Sequence, residues 1–253
     1  MNRHALVRPP GRSFADAISS TGAAIDVCLA QHQHELYCDA LRLAGVRVEV
    51  LPPDERYPDS CFMQDPALVI DGKAIIARPG AISRRGEELL VAPLLGQHFP
   101  TIHIEAPGTL EGGDVLVLSD RVYVGESDRT NQAGIEQLRA ALHPLPVEAM
   151  RVQGLLHLLS GVTYLGRNTL LAVEAFAGQP EFEGMQVLVV PAGEEYACNV
   201  LGLGETVIAP EGYPRTAAML ACHGLRVLTV PVSEFAKADG GVTCLSLVYT
   251  ETS

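Results

Sequence analysis

The segment PALVIDGKAIIARPGAISRRGEELLVAPLL, residues 66–95, contains most of the structural unit from which this chain is built. A short apolar strand, a tight turn at Asp71–Gly72 and a second apolar strand are typical of a β-hairpin. A loop with glycine and arginine follows, and then a run that predicts a helix. The β-rich run TIHIEAP, residues 101–107, completes a unit of strand, strand, helix and strand.

Further copies of this unit follow along the chain. One begins with GDVLVLSDRVYVGE and ends with the predicted strand MRVQGLL, residues 150–156. Another spans residues 161–192 and has a more degenerate middle, and a third begins at Asn199 and ends with RVLTVPV, residues 226–232.

The two ends of the chain supply a fifth unit. CLSLVY, residues 244–249, gives its first strand and ALVRPP, residues 5–10, its second. The helix is expected around Gln31–Gly45, and VRVEVLPP, residues 46–53, gives the last strand. Repeats whose ends complete one another indicate a ring rather than an open solenoid. We therefore expect residues 1–253 to form a single α/β domain, a pseudo-five-fold α/β propeller with its helices outside, closed by the two termini; an ordinary βα sandwich is the alternative.

Composition narrows the functional classes. The formal net charge of −12 argues against a basic nucleic-acid-binding surface. We find no apolar run long enough for a membrane span and no signal-peptide core at the N-terminus, which predicts a cytoplasmic protein. The six cysteines include no C-x-x-C pair and are expected to be reduced. His34 and Cys38, four residues apart on a predicted helix, are better explained by helix packing than by metal binding, so no metal is expected.

The residues that open the five units carry reactive groups. They are Asp59, Glu111, His157, Asn199 and Cys244, and equivalent points of a closed ring converge near its axis. Taken alone, a histidine among leucines is usually a hydrogen-bonded core residue, and the cysteine could be a small core residue as well. Their shared position in the repeat favours a joint role, and Cys244 follows Gly240–Gly241, which we interpret as a flexible bend.

The chemistry of this set points to nucleophilic catalysis on a cation. A cysteine with a distant histidine and an acid fits a thiolate nucleophile, with His157 moving protons and Glu111 holding its ring. Two further carboxylates, Asp59 and Asp65, would raise the pKa of a nearby thiol. A raised thiol pKa would hinder ordinary acyl transfer, because the thiolate is the nucleophile. They fit a cationic electrophile such as a guanidinium, which carboxylates bind bidentately.

With these residues assembled, the sequence resembles the dimethylarginine dimethylaminohydrolases, members of the guanidine-modifying superfamily with a five-bladed α/β propeller fold. The similarity covers essentially the whole chain. The motifs that carry it are LPPDERYPDSCFMQDP, ARPGAISRRGEE, IEAPGTLEGGD, VGESDRTNQAG, LHLLSG, GYPRT and DGGVTCLSL. The resemblance implies hydrolysis of Nω-methylated arginines to citrulline and a methylamine, without a cofactor.

The resemblance also implies roles for individual residues. Cys244 would be the nucleophile, His157 the general acid and base, and Glu111 the acid that orients His157. The implied substrate-binding residues are Ile18 in a lid loop, Asp59 and Asp65 at the guanidinium, Arg84 and Arg129 at the carboxylate, and the backbone of Ala238 at the amino end. Some relatives have an acid where this chain has Gln64, so that secondary contact departs from the family pattern. Without the resemblance, the two arginines would be interpreted as surface residues at helix starts.

Two other functions compete with methylarginine hydrolysis. One is a different guanidine-modifying activity, such as that of an arginine deiminase or an amidinotransferase, although those chains are usually longer. The other is a non-catalytic binding protein on the same propeller, like the ribosome anti-association factor that shares it. The expected partner is a small-molecule substrate, with neither nucleic acid nor membrane, in a monomer or a homodimer.

Overall fold

The computed structural model describes residues 3–250, and fifteen strands in this range form five three-stranded sheets. In chain order the strands are β1 (Arg3–Val7), β2 (Arg47–Val50), β3 (Ala67–Ile70), β4 (Lys73–Ile76), β5 (Thr101–His103), β6 (Val115–Val117), β7 (Val122–Glu126), β8 (Val147–Arg151), β9 (Val162–Gly166), β10 (Thr169–Ala172), β11 (Gln186–Val189), β12 (Leu201–Leu203), β13 (Thr206–Pro210), β14 (Arg226–Val230) and β15 (Ser246–Thr250). The α-helices are α1 (Val27–Leu43), α2 (Glu88–Leu95), α3 (Gln132–Leu142), α4 (Glu174–Ala177), α5 (Pro214–Cys222) and α6 (Ser233–Lys237).

Every sheet has the same topology. Its middle strand pairs antiparallel with the strand before it and parallel with the strand that follows the helix. In the sheet made from the two ends of the chain, β1 is the middle strand and pairs antiparallel with β15 and parallel with β2. The expected unit of strand, strand, helix and strand is confirmed five times, including the unit that joins the ends.

The first strands of the five units surround one space. Residues of β3, β6, β9, β12 and β15 line a cavity of about 290 Å³, which we call the central channel. Most of the lining side chains are apolar, for example Leu68, Leu116 and Leu247. The five inner strands therefore form the wall of a ring.

Local sequence accounts for the helix ends. α1 begins at Val27, four residues before the expected Gln31, because the Asp26 side chain accepts a hydrogen bond from the backbone N–H of Leu29 at 3.0 Å. Its buried face includes Tyr37 and Leu41. α4 has only four residues, in agreement with the degenerate middle of that unit.

The last strand of the second unit differs from the prediction. MRVQGLL was expected to form it, but β8 ends at Arg151 because its partner β7 ends at Glu126. Residues 152–156 leave the sheet and lead to His157. None of the helices in the described chain combines the length and apolar character that a membrane span requires.

Candidate active site

Short 3-10 turns precede four of the inner strands and hold the reactive residues at one end of the ring. Glu111 directly precedes the turn Gly112–Asp114, and His157 directly precedes the turn Leu158–Ser160. Cys244 lies inside the turn Thr243–Leu245. The repeat therefore brings residues that are far apart in sequence to one region, as expected.

His157 and Glu111 form a buried pair. The Nε2 atom of His157 lies 2.8 Å from Oε2 of Glu111. The other carboxylate oxygen of Glu111 accepts hydrogen bonds from the backbone N–H groups of Gly80 and Ala81, at 3.0 and 3.2 Å. Burial of the imidazole favours its neutral form, but the hydrogen bond to Glu111 and the charges of Asp65 and Asp114 outweigh burial and raise the pKa of His157.

The two glycines of the LEGGD motif make this pairing possible. A Cβ atom on Gly113 would lie 2.8 Å from the ring of His157, and one on Gly112 would overlap the carbonyl of Gln64. Asp114 is fully buried and accepts a hydrogen bond from the N–H of Leu158 at 3.0 Å, which fixes the turn that follows His157. The motif therefore positions the histidine through its backbone as well as through its acid.

The environment of Cys244 favours the neutral thiol over the thiolate. Its Sγ accepts a hydrogen bond from the backbone N–H of Gly241 at 3.4 Å. Burial, with the nearby charge of Asp65, raises the pKa of Cys244 to about 11. A thiol with this pKa needs an additional positive charge to become a nucleophile near neutral pH.

Gly240 and Gly241 are required for close packing, not only for the flexible bend that the sequence suggested. A Cβ on Gly240 would overlap the ring of Phe62, and one on Gly241 would lie 2.5 Å from the side-chain amide of Asn199. Asn199 in turn donates to Thr243 Oγ1 at 2.9 Å and accepts from the N–H of Thr243 at 2.9 Å. Asn199 thus holds the turn that carries the cysteine.

The two predicted carboxylates differ in their electrostatics. Asp59 accepts hydrogen bonds from the backbone N–H of Ile18, and burial raises its pKa. Asp65 lies 2.7 Å from Nη1 of Arg84 and accepts from the N–H of Gly113 at 3.0 Å. Burial opposes ionisation of Asp65, but the positive charge of Arg84 and that of His157 lower its pKa.

The two predicted arginines are not equivalent. Arg84 is 4% exposed, and its guanidinium bonds Asp65 at 2.7 Å and Glu87 at 2.8 Å. Arg129 has a side chain that is 16% exposed, and its Nη1 lies 3.6 Å from Oε1 of Glu111. Arg129 therefore has the freer guanidinium.

A narrow cavity of about 30 Å³ unites most of the predicted site; we call it the polar cavity. Its walls include Ile18, Asp59, Asp65, Arg84, Arg129, His157, Ala238 and Cys244. Glu111 stands behind His157. A second cavity of about 200 Å³, the apolar cavity, also reaches His157 and Cys244 and is otherwise lined by residues such as Leu155, Val173 and Tyr196.

A family model for eukaryotic N,N dimethylarginine dimethylhydrolase matches residues 15–174 of this chain. A dimethylarginine dimethylaminohydrolase of Pseudomonas aeruginosa is 43% identical over 98% of this chain and 100% of its own. The chain belongs to the dimethylarginine dimethylaminohydrolase family.

Other members and solved structures agree with this assignment. The Streptomyces coelicolor dimethylarginine dimethylaminohydrolase is 36% identical over 99% of this chain and 98% of its own. The Pseudomonas aeruginosa enzyme, as a cysteine-to-serine mutant complexed with citrulline, superposes with a TM-score of 0.95 at 42% identity, over 98% of this chain and 100% of that one. The N-terminal domain of ArgZ, a cyanobacterial arginine dihydrolase, shares the fold at 21% identity with a TM-score of 0.88, over 99% of both chains.

Gln64 stands apart from the other predicted residues of this dimethylarginine dimethylaminohydrolase family member. It lines the central channel and is not among the residues that line the polar cavity. Its buried Oε1 has no hydrogen-bond partner within residues 3–250. Its backbone N–H donates to the carbonyl of Cys244 at 3.2 Å, so its visible contribution is to hold the cysteine turn.

Asp65, Glu111 and His157 are close enough together to consider a metal, because one ligand atom from each lies within 4.8 Å of the others. Their oxygen atoms already accept hydrogen bonds from Arg84, Gly113 and backbone N–H groups. Two guanidinium groups also stand nearby, and their positive charge works against a dication. The arrangement suits a member of this family that binds an organic cation between carboxylates.

Sequence reasoning missed Glu87, the second partner of Arg84. Burial raises the pKa of Glu87 to about 7 even though Arg84 lowers it. The spacing of three residues between Arg84 and Glu87 in SRRGEE was a weak signal, because the pair meets across a non-helical turn in which Arg85 is extended and Gly86 has a φ of 114°.

Proposed function

We propose that this protein hydrolyses Nω-methylated L-arginines to L-citrulline and a methylamine through a covalent intermediate on Cys244. The observation that carries the proposal is that Cys244 and His157 line the same cavity as Asp59, Asp65 and two arginines, with Glu111 bonded to His157 from behind. That set of charges is complementary to an amino acid with a cationic side chain. Membership of the dimethylarginine dimethylaminohydrolase family supports the same substrate class.

Binding orders the substrate by charge. Asp59 and Asp65 face the guanidinium, and Arg129, with the freer guanidinium of the two arginines, meets the α-carboxylate. Arg84, bonded to Asp65 and Glu87, holds Asp65 in place and adds positive charge to the wall. The backbone at Ile18 and Ala238 lies on the same cavity and closes around the amino-acid end.

The first half-reaction expels the amine. The cationic substrate lowers the pKa of the Cys244 thiol, which loses its proton to solvent, and the thiolate sulfur attacks the guanidinium carbon. The C–N bond to the methylated nitrogen breaks while the His157 imidazolium donates a proton to that nitrogen, so a neutral amine leaves. A positioned acid of this kind contributes about 10²- to 10⁴-fold. The raised pKa of His157 favours the protonated imidazole that donates this proton.

The second half-reaction restores the enzyme. The imidazole, now neutral, takes a proton from water as the water oxygen attacks the thiouronium carbon on Cys244. The C–S bond breaks, the sulfur leaves with its electron pair and takes the second proton of the former water, and the neutral ureido group of citrulline remains. His157 therefore serves as acid and then as base, and Glu111 keeps its ring oriented in both steps.

The test is release of citrulline from arginine and from its monomethyl, asymmetric dimethyl and symmetric dimethyl forms. We expect turnover of the monomethyl and asymmetric dimethyl forms, with Cys244→Ser inactive and Cys28→Ser, an exposed thiol, near wild type. Turnover of free arginine alone would assign the protein to the deiminase type of activity. Near-normal activity of Cys244→Ser would contradict the covalent mechanism.

A further inference from the structure

The apolar cavity adjoins the polar cavity at the reacting centre. His157, Asp239, Gly240 and Cys244 line both. All the carboxylates and arginines that bind the proposed substrate lie on the polar side, since none of Asp59, Asp65, Arg84 and Arg129 lines the apolar cavity. A guanidinium placed between these groups has its central carbon at the border of the two cavities.

The walls of the apolar cavity leave few free hydrogen-bonding groups. Leu155, Leu159 and Val173 supply aliphatic surface. The hydroxyl of Tyr196 donates to the carbonyl of Gly240 at 2.8 Å, and the side-chain amide of Asn199 is held by Thr243. Two carboxylates also line the cavity: Asp239 accepts hydrogen bonds from Ser20, and Glu195 accepts one from the backbone N–H of Gly193. Because these polar atoms are already bonded within the protein, an alkyl group entering the cavity displaces water without leaving them unpaired.

We propose that the apolar cavity is the subsite for the substituent on the leaving nitrogen, and that it admits unbranched Nω-alkyl groups longer than methyl, such as propyl. The proposal rests on the proposed function, because it places the leaving nitrogen next to His157. The volume supports it: the cavity has about 200 Å³, whereas about 10–15 Å³ of such space is enough for a water molecule, which is similar in size to a methyl group. Two methyl groups fill only part of this space.

The subsite also gives a physical reason for selecting substituted arginines. Free arginine would leave the aliphatic walls in contact with water alone, whereas an alkyl substituent removes apolar surface from water on both sides. A methylene more or less in a hydrophobic pocket is worth about 10- to 200-fold in discrimination. The substrate class is therefore Nω-alkyl-L-arginines, of which the methylated forms are the smallest.

The substrate test compares Nω-propyl-L-arginine with Nω-monomethyl-L-arginine, with citrulline and the released alkylamine measured together. We expect propylamine release with kcat/KM within about tenfold of the monomethyl value, which is less than one strongly clashing methylene would cost. Turnover of the monomethyl form with no turnover of the propyl form would overturn the subsite alone. Failure of both substrates would overturn the proposed function with it.

Two neighbouring leucines provide a matched pair of variants, because Leu155 lines only the apolar cavity and Leu156 lines only the polar cavity. Leu155→Ala should raise the ratio of propyl to methyl kcat/KM, whereas Leu156→Ala should change both values by the same factor. Ser160→Leu, which fills the apolar cavity from a half-buried position, should lower the propyl value at least about tenfold more than the methyl value. Equal effects of Leu155→Ala on the two substrates would show that the cavity holds only solvent, and would overturn the proposal even if Ser160→Leu did not fold.

Discussion

At the scale of single residues, the site pairs a thiol of raised pKa with an imidazole of raised pKa. Burial and Asp65 raise the pKa of Cys244, and the hydrogen bond to Glu111 overcomes burial to raise that of His157. These shifts favour a neutral thiol beside a protonated imidazole in the resting enzyme. The substrate itself supplies the charge that converts the thiol into a nucleophile.

This resting state can be titrated. The ultraviolet absorbance of the thiolate, taken as wild type minus Cys244→Ser, should show a midpoint near 11 without ligand. Asp65→Asn removes a negative charge that disfavours the thiolate, so the midpoint should fall. A midpoint below the ordinary value of 9.0 in the wild type would mean that the resting thiol is activated before substrate binds.

Removing His157 should separate the two half-reactions. With S-methyl-L-thiocitrulline, whose thiol leaving group needs no protonation, His157→Gly should form the adduct on Cys244 and then stall for lack of a base. Intact-protein mass spectrometry with peptide mapping checks this. Normal turnover without an adduct would return His157 to the status of a structural histidine.

At the scale of elements, hairpins could be predicted more securely than helix starts and strand ends. The Asp71–Gly72 turn could be predicted because an Asp-Gly pair tolerates the positive φ angles that a tight hairpin turn requires. The two residues have φ angles of 50° and 70°. The start of α1 was predicted only approximately because the capping role of Asp26 was not used. The segment QGLL was assigned to a strand, but it has no strand to pair with because β7 ends at Glu126.

Helix α1 contains a second buried histidine, His34, whose protonation affects the stability of the fold. Burial lowers the pKa of His34 in α1 to about 4 from 6.5. The pKa of His34 is lower in the folded protein than in the unfolded one. Above pH 6.5 the ring is neutral in both states, and the free energy of unfolding decreases as the pH falls from 6.5 towards 4. The loss attributable to this group approaches about 3 kcal/mol.

Chemical denaturation across this pH range checks the effect. His34→Gln should flatten the fall in unfolding free energy relative to wild type. His32→Gln is the control, because that side chain is 63% exposed on the same helix and stays in solvent when the chain folds. If the unfolding free energies of wild type and His34→Gln fell with the same slope against pH, the pKa of His34 would not differ between the folded and the unfolded protein.

At the scale of the whole molecule, the site depends on contacts between repeats, and this sets the limit of what the sequence could predict. The ring and the gathering of Glu111, His157 and Cys244 followed from the spacing of the units. The division of labour between Arg84 and Arg129 did not, because it depends on which guanidinium meets Glu87 in three dimensions. The position of Gln64 in the wall of the central channel was equally invisible, since neighbouring residues of one turn can face opposite ends of a ring.

The closure of the ring predicts tolerance of a new chain order. Arg3 pairs with Thr250, so the ends can be joined by a short glycine linker without disturbing a sheet. New ends opened at the Asp71–Gly72 turn should give a folded enzyme with citrulline release within about threefold of wild type and a similar thermal midpoint. New ends at Gly240–Gly241 should abolish activity, because both residues pack against the site. Loss of folding in the first permutant would contradict the closed ring.

The pairing of β1 with β15 also orders events during synthesis on the ribosome. β1 is among the first strands to emerge, but its antiparallel partner is among the last. Until then the sheet has an uncovered edge, and the turn that carries Cys244 has not yet been made. The nascent chain therefore cannot form its reactive centre before the Cys244 turn and β15 have been translated, and a chain that stops before them has an incomplete fifth sheet and no nucleophile.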